Sequence, residues 1–230
     1  TSAITILIKG LHNAFFSIIV EKMQSYLQES GEDVSVVYLD ELENEVEVAI
    51  RICGEKKPKG LIFLGGNQKY FRESFAGIKA PCVLCSESAA GMKFSNLSSF
   101  TTDDREAARA AAEYLIRSGH RRVGIVCGSA VSEAGLIGSK RVESAIDAFK
   151  ENKIPFDKRK QFVPGKFSLE DGYNSTMKLL DRYPEVTAIY AVSDVVAIGA
   201  LRAINDRKLK VPQDISIIGN DGIDFARYAT

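Results

Sequence analysis

The sequence predicts an α/β protein of two lobes, each a parallel sheet covered by helices on both faces. Short β-branched runs alternate with segments of helical period along all 230 residues, and repeated strand–helix units form parallel sheets that helices cover. The alternation is interrupted once, by a polar Ser/Thr-rich stretch at 96–102. We therefore expect an N-terminal lobe over 1–102 and a C-terminal lobe over 103–230, although the strands could also form one continuous sheet.

The first lobe is predicted to contain four strands joined by helices. The helix after Asn13 places Phe16, Ile19, Met23 and Leu27 on one apolar face and stops at a glycine. The strands are expected at 4–8, 34–39, 60–64 and 82–85, with helices before residue 31, over 43–55 and around 70–75.

The second lobe continues the same alternation and then stops abruptly. Strands are expected at 122–126, 162–163, 188–192 and 215–219, with helices from 104 to 118–119, over 139–151, over 168–182 and over 194–207. Because no helix follows to cover the last strand, we expect the chain to cross back toward the first lobe near 223–230. The C-terminal part of the first lobe is then expected to be missing.

Composition and charge narrow the function classes. The 45% hydrophobic and 26% charged fractions are those of an ordinary soluble globular protein. Thirty basic residues balance thirty acidic ones, and the basic groups are scattered along the sequence. This distribution argues against a nucleic-acid-binding surface within these residues. The apolar runs are far shorter than the ~18 residues of a membrane span, so no membrane partner is expected.

The four cysteines, Cys53, Cys82, Cys85 and Cys127, predict neither a metal nor a cofactor. Cys82 and Cys85 form a C-x-x-C, but on a strand positions i and i+3 point to opposite faces. No second cysteine pair or histidine cluster completes a metal site. We interpret all four as buried thiols in a reducing compartment, which predicts a cytoplasmic protein.

A binding site is expected where the strands end. In open parallel sheets the loops after the strands gather at one edge, and ligands bind there. These loops combine aromatic faces, one arginine, carboxylates and amides, which suits a sugar or a nucleobase. Each residue also has a plainer explanation: Phe15 and Phe16 as core, Arg141 as a solvated helix residue, Asp194 as a helix cap, Asp221 as a turn residue. The loops in question are 12–16, 65–67, 128–141, 193–194 and 220–221.

Several motifs, in order, resemble the effector-binding domains of the lactose/galactose-repressor (LacI/GalR) family. The stretch from Val211 to Asp224 is similar to the "VPxDxSxxGxDD" segment of these domains. The other matches are 12–16 to "xNxFF", 103–108 to "DNxxAA", 118–125 to "xGHRRIxxI" and 192–201 to "AxNDxxAxGxL". This resemblance spans nearly the whole chain and implies the two-lobe, periplasmic-binding-protein-like fold of type I.

The resemblance also implies roles for particular residues. It implies that Arg141 hydrogen-bonds the effector, that Phe167 stacks on it, and that Asp221 supplies the carboxylate at the end of the last strand. Ser193 stands where asparagine is common, Ser86-Glu87 replaces the Asp-Arg of "PVVxxDR", and the loop before Arg141 is longer than usual. The full expected set of ligand-binding residues is Asn13, Phe15, Phe16, Arg141, Phe167, Ser193, Asp194 and Asp221.

The function implied is the effector-sensing and dimerisation core of a transcriptional regulator, a repressor that binds a sugar or purine-like effector between its lobes. We expect a homodimer that reaches operator DNA only through a missing N-terminal helix-turn-helix head, to which lobe closure is transmitted. The alternative is the solute-binding protein of a sugar importer, which shares the two-lobe fold. An enzyme is not expected, because the chain has two histidines and no G-x-S-x-G, Walker or G-x-G-x-x-G motif.

Overall fold

The computed structural model describes residues 3–10, 14–40, 42–128 and 137–229. The chain divides into two compact units, Thr1–Thr102 and Asp103–Thr230. Each unit holds its own sheet, one of five strands and one of four, and every strand pairing is parallel. The α/β class with two parallel sheets is therefore confirmed, and the alternative of one continuous sheet is wrong.

The first unit has the strand order β2-β1-β3-β4-β5. Side chains alternate between the two faces of β1, because successive residues of a strand point in opposite directions. Leu7 packs with the helix residues Val46 and Ala49 on one face, whereas Ile6 and Ile8 pack with Phe16 and Val20 on the other. Helices thus cover both faces. The elements are β1 Ile4–Lys9, α1 Ala14–Glu29, β2 Val34–Leu39, α2 Glu45–Lys56, β3 Gly60–Leu64, α3 Gln68–Ser74, β4 Cys82–Cys85 and β5 Leu97–Phe100.

The polar stretch at 96–102, expected to be only a break between lobes, contains the strand β5. Residues Leu97–Phe100 pair in parallel with β4, and the strand lies at the edge of the sheet. Its side chains alternate between half-buried and exposed, and Phe100 is 70% exposed. An edge strand needs backbone pairing on one side only and little apolar burial, so a polar sequence can form it.

The second unit has the strand order β7-β6-β8-β9, with β6 and β8 as its two inner strands. Its strands are short and largely apolar, and their burial matches the continuous apolar runs typical of parallel sheets covered by helices. The elements are α4 Asp104–Arg117, β6 Val123–Val126, α5 Ile137–Glu151, α6 Lys158–Gln161, β7 Phe162–Val163, α7 Leu169–Arg182, β8 Ala188–Ala191, α8 Asp194–Asp206 and β9 Ser216–Ile218, followed by a 3-10 turn at Asp224–Arg227.

The C-x-x-C cysteines lie on opposite faces of β4, as predicted. Cys82 belongs to the core on one face, and Cys85 packs against the core on the other. The prediction of burial is correct for Cys82 and Cys127 but wrong for Cys53 and Cys85, which are only half-buried. Within the described ranges, no helix is long and apolar enough to cross a membrane, and no cluster of His, Cys, Asp or Glu could hold a metal ion.

Helices α7 and α8 pack closely because glycines stand where they cross. A Cβ at Gly199 would lie 2.1 Å from the backbone oxygen of Leu169, and one at Gly172 would lie 2.4 Å from that of Val196. Both obstacles are backbone atoms of a neighbouring helix, which cannot rotate away as a side chain can. The close distance between the two helices therefore requires glycine at positions 172 and 199.

Replacing Gly199 by alanine should destabilise the second unit by roughly 2–3 kcal/mol, because the helices must separate to admit the methyl group. The matched control is Gly54→Ala in α2, where a Cβ would meet nothing within 4 Å. That change should stabilise the protein by about 0.5–1 kcal/mol through helix propensity. Urea denaturation followed by circular dichroism measures both, and equal shifts for the two variants would contradict the proposed close packing.

Candidate functional site

The second unit brings four chain segments together at the carboxyl ends of its strands. The segment after β8 contains Val192, Ser193 and Asp194, and the segment after β9 contains Asn220 and Asp221. The two segments are joined directly, because the backbone N–H of Asp194 donates to the carbonyl of Asn220 (2.7 Å). The beginnings of α4 and α5 complete the group. Of the predicted site residues of this unit, Arg141, Ser193, Asp194 and Asp221 therefore meet at the edge where parallel sheets bind ligands.

Arg141 of α5 lies at the centre of this group with its side chain buried, 7% of the residue being exposed. Oδ1 of Asp104 lies 2.8 Å from both Nε and Nη2, and Nη1 donates to Val192 O (2.7 Å) and to Asp221 Oδ1 (2.9 Å). In the amide orientation that pairs donors with acceptors, the oxygen of Asn220 accepts from both terminal nitrogens at 3.2 Å. Every guanidinium nitrogen has an acceptor, so the interpretation of Arg141 as a solvated residue is wrong.

The charge of Arg141 is sustained by its neighbours. Burial by itself would favour the neutral form, but the negative charges of Asp221 and Asp104 outweigh it and raise the pKa of Arg141. Asp104 is the first residue of α4, after the helix cap Asp103, and its side chain is 10% exposed. Sequence reasoning did not select Asp104, although it occupies the second position of the "DNxxAA"-like motif.

Both the backbone conformation and the burial of Asp221 cost folding free energy. Its φ is +115°, a region that residues other than glycine rarely adopt. Its side chain is only 3% exposed, and burial raises the pKa of its carboxyl to about 6, although the charge and hydrogen bond of Arg141 oppose the shift. Oδ1 accepts from Arg141, whereas Oδ2 has no hydrogen-bond partner among the described residues. Asp221 is therefore more than an exposed turn residue.

Ser193 and Asp194 have local structural roles. Ser193 is fully buried and caps α8, its Oγ accepting from the N–H of Val196 (3.3 Å). The cap is thus Ser193 and not Asp194. Asp194 accepts through Oδ2 from the N–H of Ile223 (2.8 Å), which fixes the loop after β9. A Cβ at Gly219 would lie 2.3 Å from Asp194 Oδ1, so only glycine fits there. Their contact with an effector stays a prediction.

One buried hydroxyl beneath this group has no partner. Tyr190 lies on the inner strand β8, is fully buried, and its hydroxyl has no hydrogen bond within the described part of the chain. Burial raises its pKa, and the hydroxyl is close enough to Arg141, Asp221 and Asp104 for their charges to alter that pKa as well. Tyr190 therefore stays a neutral phenol next to the cluster.

The aromatic residues expected to touch an effector divide into two kinds. Phe16 is 7% exposed and packs in the core of the first unit, whereas Phe15 is only half-buried against that core. A Cβ at Gly65 would lie 3.1 Å from Cε2 of Phe16, so this ring is tightly enclosed. Phe167 of the second unit is half-buried against its core. Asn13 lies outside the described residues, and effector contacts of all four stay predictions.

The first unit has a buried polar network of its own that sequence reasoning missed. Lys9, the last residue of β1, forms a buried ion pair with Glu45, donates to Glu43 O (2.8 Å), and lies over the ring of Tyr70, 4.9 Å from its centroid. Glu45 also accepts from the backbone N–H of Asn67. The one signal was a lysine at the end of a strand that is apolar except for Thr5.

The substitution of Ser86-Glu87 for Asp-Arg is accommodated within the first unit. The carboxylate of Glu87 accepts from Gln68 Nε2 (2.9 Å) and from the backbone N–H of Ser88 (2.8 Å), and the residue is buried. Ser86 has a positive φ of 64°, and its hydroxyl has no hydrogen bond among the described residues. The position thus carries a negative charge that is bound by local donors.

Comparison with known proteins agrees with this arrangement. The family model "Periplasmic binding proteins and sugar binding domain of LacI family" matches residues 1–226. The regulator MalR of Clostridium butyricum is 35% identical over 99% of this chain and 68% of its own, and the ribose operon repressor of Haemophilus influenzae is 26% identical over 99% and 67%. The crystal structure of a LacI-family regulator from Corynebacterium glutamicum has a TM-score of 0.73 at 27% identity, covering 98% of this chain and 78% of its own.

Two parallel sheets with polar groups at their carboxyl edges define a binding protein of the periplasmic-binding-protein-like class. The chain belongs to the family of periplasmic binding proteins and sugar-binding domains of LacI regulators. Within that family it is the effector domain of a LacI-type transcriptional regulator, not the solute-binding protein of an importer, because its relatives are transcriptional regulators. It spans about two thirds of the length of MalR and of the ribose operon repressor.

Asp221 predicts how stability depends on pH. Its folded-state pKa of about 6 lies above its ordinary value of 3.8. The native state therefore keeps the proton longer than the unfolded chain, and this contribution is complete below pH ~4 and is lost as pH rises through about 6. A shift of about two units corresponds to about 3 kcal/mol. Asp221→Asn cannot ionise, so at pH 8 it should be more stable than the parent by up to that amount, and the two should converge toward pH 4.

Urea denaturation at several pH values measures this difference. Asparagine keeps an oxygen that can accept from Arg141, and Asp104 still balances the guanidinium charge, so the variant should fold. The control is Asp224→Asn, which removes an exposed carboxylate from the same loop and should follow the parent. A parent that is more stable than Asp221→Asn at pH 8 would show that the ion pair outweighs the burial of Asp221.

Proposed function

We propose that the effector is a small molecule rich in hydroxyl or N–H groups, a sugar or a nucleobase, that binds at the carboxyl edge of the second sheet around Asp221. The observation that carries this proposal is the state of Asp221, whose positive φ and buried charge both cost stability. Strained backbone and buried charge are found mainly at functional sites. At other positions, a substitution that relieves them carries no functional penalty. The family model describes a sugar-binding domain, which supports the same ligand class.

The chemistry of the carboxylate explains how it would select such a ligand. Asp221 Oδ1 is held by Arg141, so the orientation of the carboxyl plane is fixed before any ligand arrives. Oδ2 is left to accept a hydrogen bond, and a bond from a hydroxyl or N–H to an ionised carboxylate is stronger than one between neutral groups. A preoriented acceptor also loses little entropy on binding. We propose Phe167 of the same unit as a ring that covers an apolar face of the ligand.

The regulatory part of the function concerns the whole protein. MalR is named as an HTH-type regulator, so we propose that effector binding here controls a helix-turn-helix segment in the same polypeptide. We also propose that the regulator is a homodimer. The 230 residues carry thirty basic and thirty acidic residues, so their net charge gives no overall attraction for DNA, which supports a separate DNA-binding segment.

Binding is tested by thermal shift with a panel of sugars and nucleobases, since a ligand of the native state raises Tm. For a compound that binds, Asp221→Asn should weaken Kd roughly ten- to a hundredfold, because a hydrogen bond to a charged group contributes about 1.5–3 kcal/mol. Asp224→Asn should bind like the parent. Because Asp221→Asn is expected to be the more stable protein, lost affinity could not be ascribed to unfolding. Unchanged affinity in calorimetry would refute the assignment of Asp221.

The 230 residues alone should not retard duplex DNA sequence-specifically in a gel shift, because their net charge is zero. Adding a helix-turn-helix segment should restore retardation in an effector-dependent manner. Sedimentation velocity on the same samples measures the dimer. Sequence-specific retardation by the 230 residues would contradict the proposed division of labour.

A further inference from the structure

The polar cluster at the edge of the second sheet contains more negative than positive groups. Arg141 is its one cation among the described residues, and Asp104, Asp194 and Asp221 are its carboxylates. Tyr190 and Asn220 add neutral groups. With all carboxylates ionised, the cluster has an excess of two negative charges. Because it is buried, these charges are screened less than they would be at an exposed surface.

Asp104 occupies the side of Arg141 that would otherwise bind an anion. A guanidinium binds carboxylate or phosphate oxygens through parallel N–H groups, and the Nε and Nη2 pair is one such edge. Here Oδ1 of Asp104 already lies 2.8 Å from both nitrogens of that edge. Nη1 is used by Val192 O and Asp221 Oδ1. An anionic effector group would therefore have to displace a carboxylate that the protein itself supplies.

We propose that Asp104 is a specificity-determining residue that sets the charge class of the effector. By neutralising the Nε–Nη2 edge of Arg141, it excludes carboxylate and phosphate groups, and the cluster selects compounds that donate hydrogen bonds, such as neutral polyols or amino sugars. Arg141 then acts as a positioning residue that holds Asp104 and Asp221 toward the effector. The inference rests on the proposed function of the site.

The test compares two neighbouring charge removals. Asp104→Asn removes the carboxylate that contacts Arg141. Asp103→Asn removes the same charge one residue away, and asparagine caps a helix as well as aspartate does, so the bonds from the N–H groups of Arg105 and Glu106 are kept. Asp104→Glu keeps the negative charge but changes the local packing. It therefore distinguishes an effect of charge removal from an effect of altered packing. Inorganic phosphate at pH 7.5, with chloride at equal ionic strength as reference, is the probe in thermal shift and calorimetry.

Phosphate should stabilise Asp104→Asn and bind it at least tenfold more tightly than it binds the parent, Asp103→Asn or Asp104→Glu. The inference is overturned if Asp104→Asn binds phosphate no better than Asp103→Asn, or if Asp104→Glu gains phosphate binding as well. If Asp104→Asn fails to fold, the parent decides between glucose, glucosamine, glucuronate and glucose 6-phosphate. Binding of either anionic compound by the parent would overturn the inference, and binding of glucose or glucosamine with exclusion of both anionic compounds supports it.

The phosphate comparison needs no sugar ligand, so it is independent of the screen that tests the proposed function. Failure of every sugar and nucleobase to bind the parent would refute the proposed function while leaving the phosphate result to be measured. Conversely, a parent that binds a neutral sugar and inorganic phosphate equally well would keep the proposed function and refute the role of Asp104.

Discussion

The buried guanidinium of Arg141 is the constraint on which the arrangement of the second unit depends. A buried cation is tolerated only when it is paired and hydrogen-bonded, and its partners come from the start of α4, the end of β8 and the end of β9. Two further hydrogen bonds join the ends of β8 and β9, from the N–H of Asp194 to Asn220 O and from the N–H of Ile223 to Asp194 Oδ2. Leaving a buried charge with no partner typically costs 3–5 kcal/mol, and Arg141 avoids this because it has two carboxylate partners, Asp104 and Asp221. The cluster thus fixes the edge of the sheet where an effector is expected to bind.

The cost of this arrangement is concentrated at Asp221 rather than at Arg141. Two carboxylates raise the pKa of Arg141, so its charge is secure, whereas one guanidinium cannot fully offset the burial of Asp221 and the nearby charge of Asp194. The backbone at Asp221 also has a positive φ. A residue that is costly in both respects, with one oxygen still able to accept, is better explained by binding than by folding.

The periodicity of apolar residues was sufficient to predict most of the fold, because buried strands and amphipathic helices each have a recognisable pattern within a short segment. The strand β5 was missed because an edge strand is held by backbone bonds that its polar side chains do not reveal. The site was harder to predict for a different reason. Arg141 and Asp221 were selected from the loops that follow the strands and from the family resemblance, but the partners of Arg141 are 37, 51 and 80 residues away in sequence. No local pattern indicates such contacts, so Asp104 and the Lys9–Glu45 pair were not foreseen.

Each unit contains a buried cation that is neutralised by carboxylates of the same unit. This neutralisation affects which ligand charges the unit can bind. In the first unit Lys9 is neutralised by Glu45, and in the second Arg141 is neutralised by Asp104 and Asp221. In each case a buried cation already has its anion within the unit. A cation that is neutralised internally orders the groups around it but attracts an external anion weakly, since the desolvation cost of the newcomer is no longer offset by net charge. We therefore expect the effector to bind the carboxylate oxygens that the arginine holds in place, rather than the arginine itself.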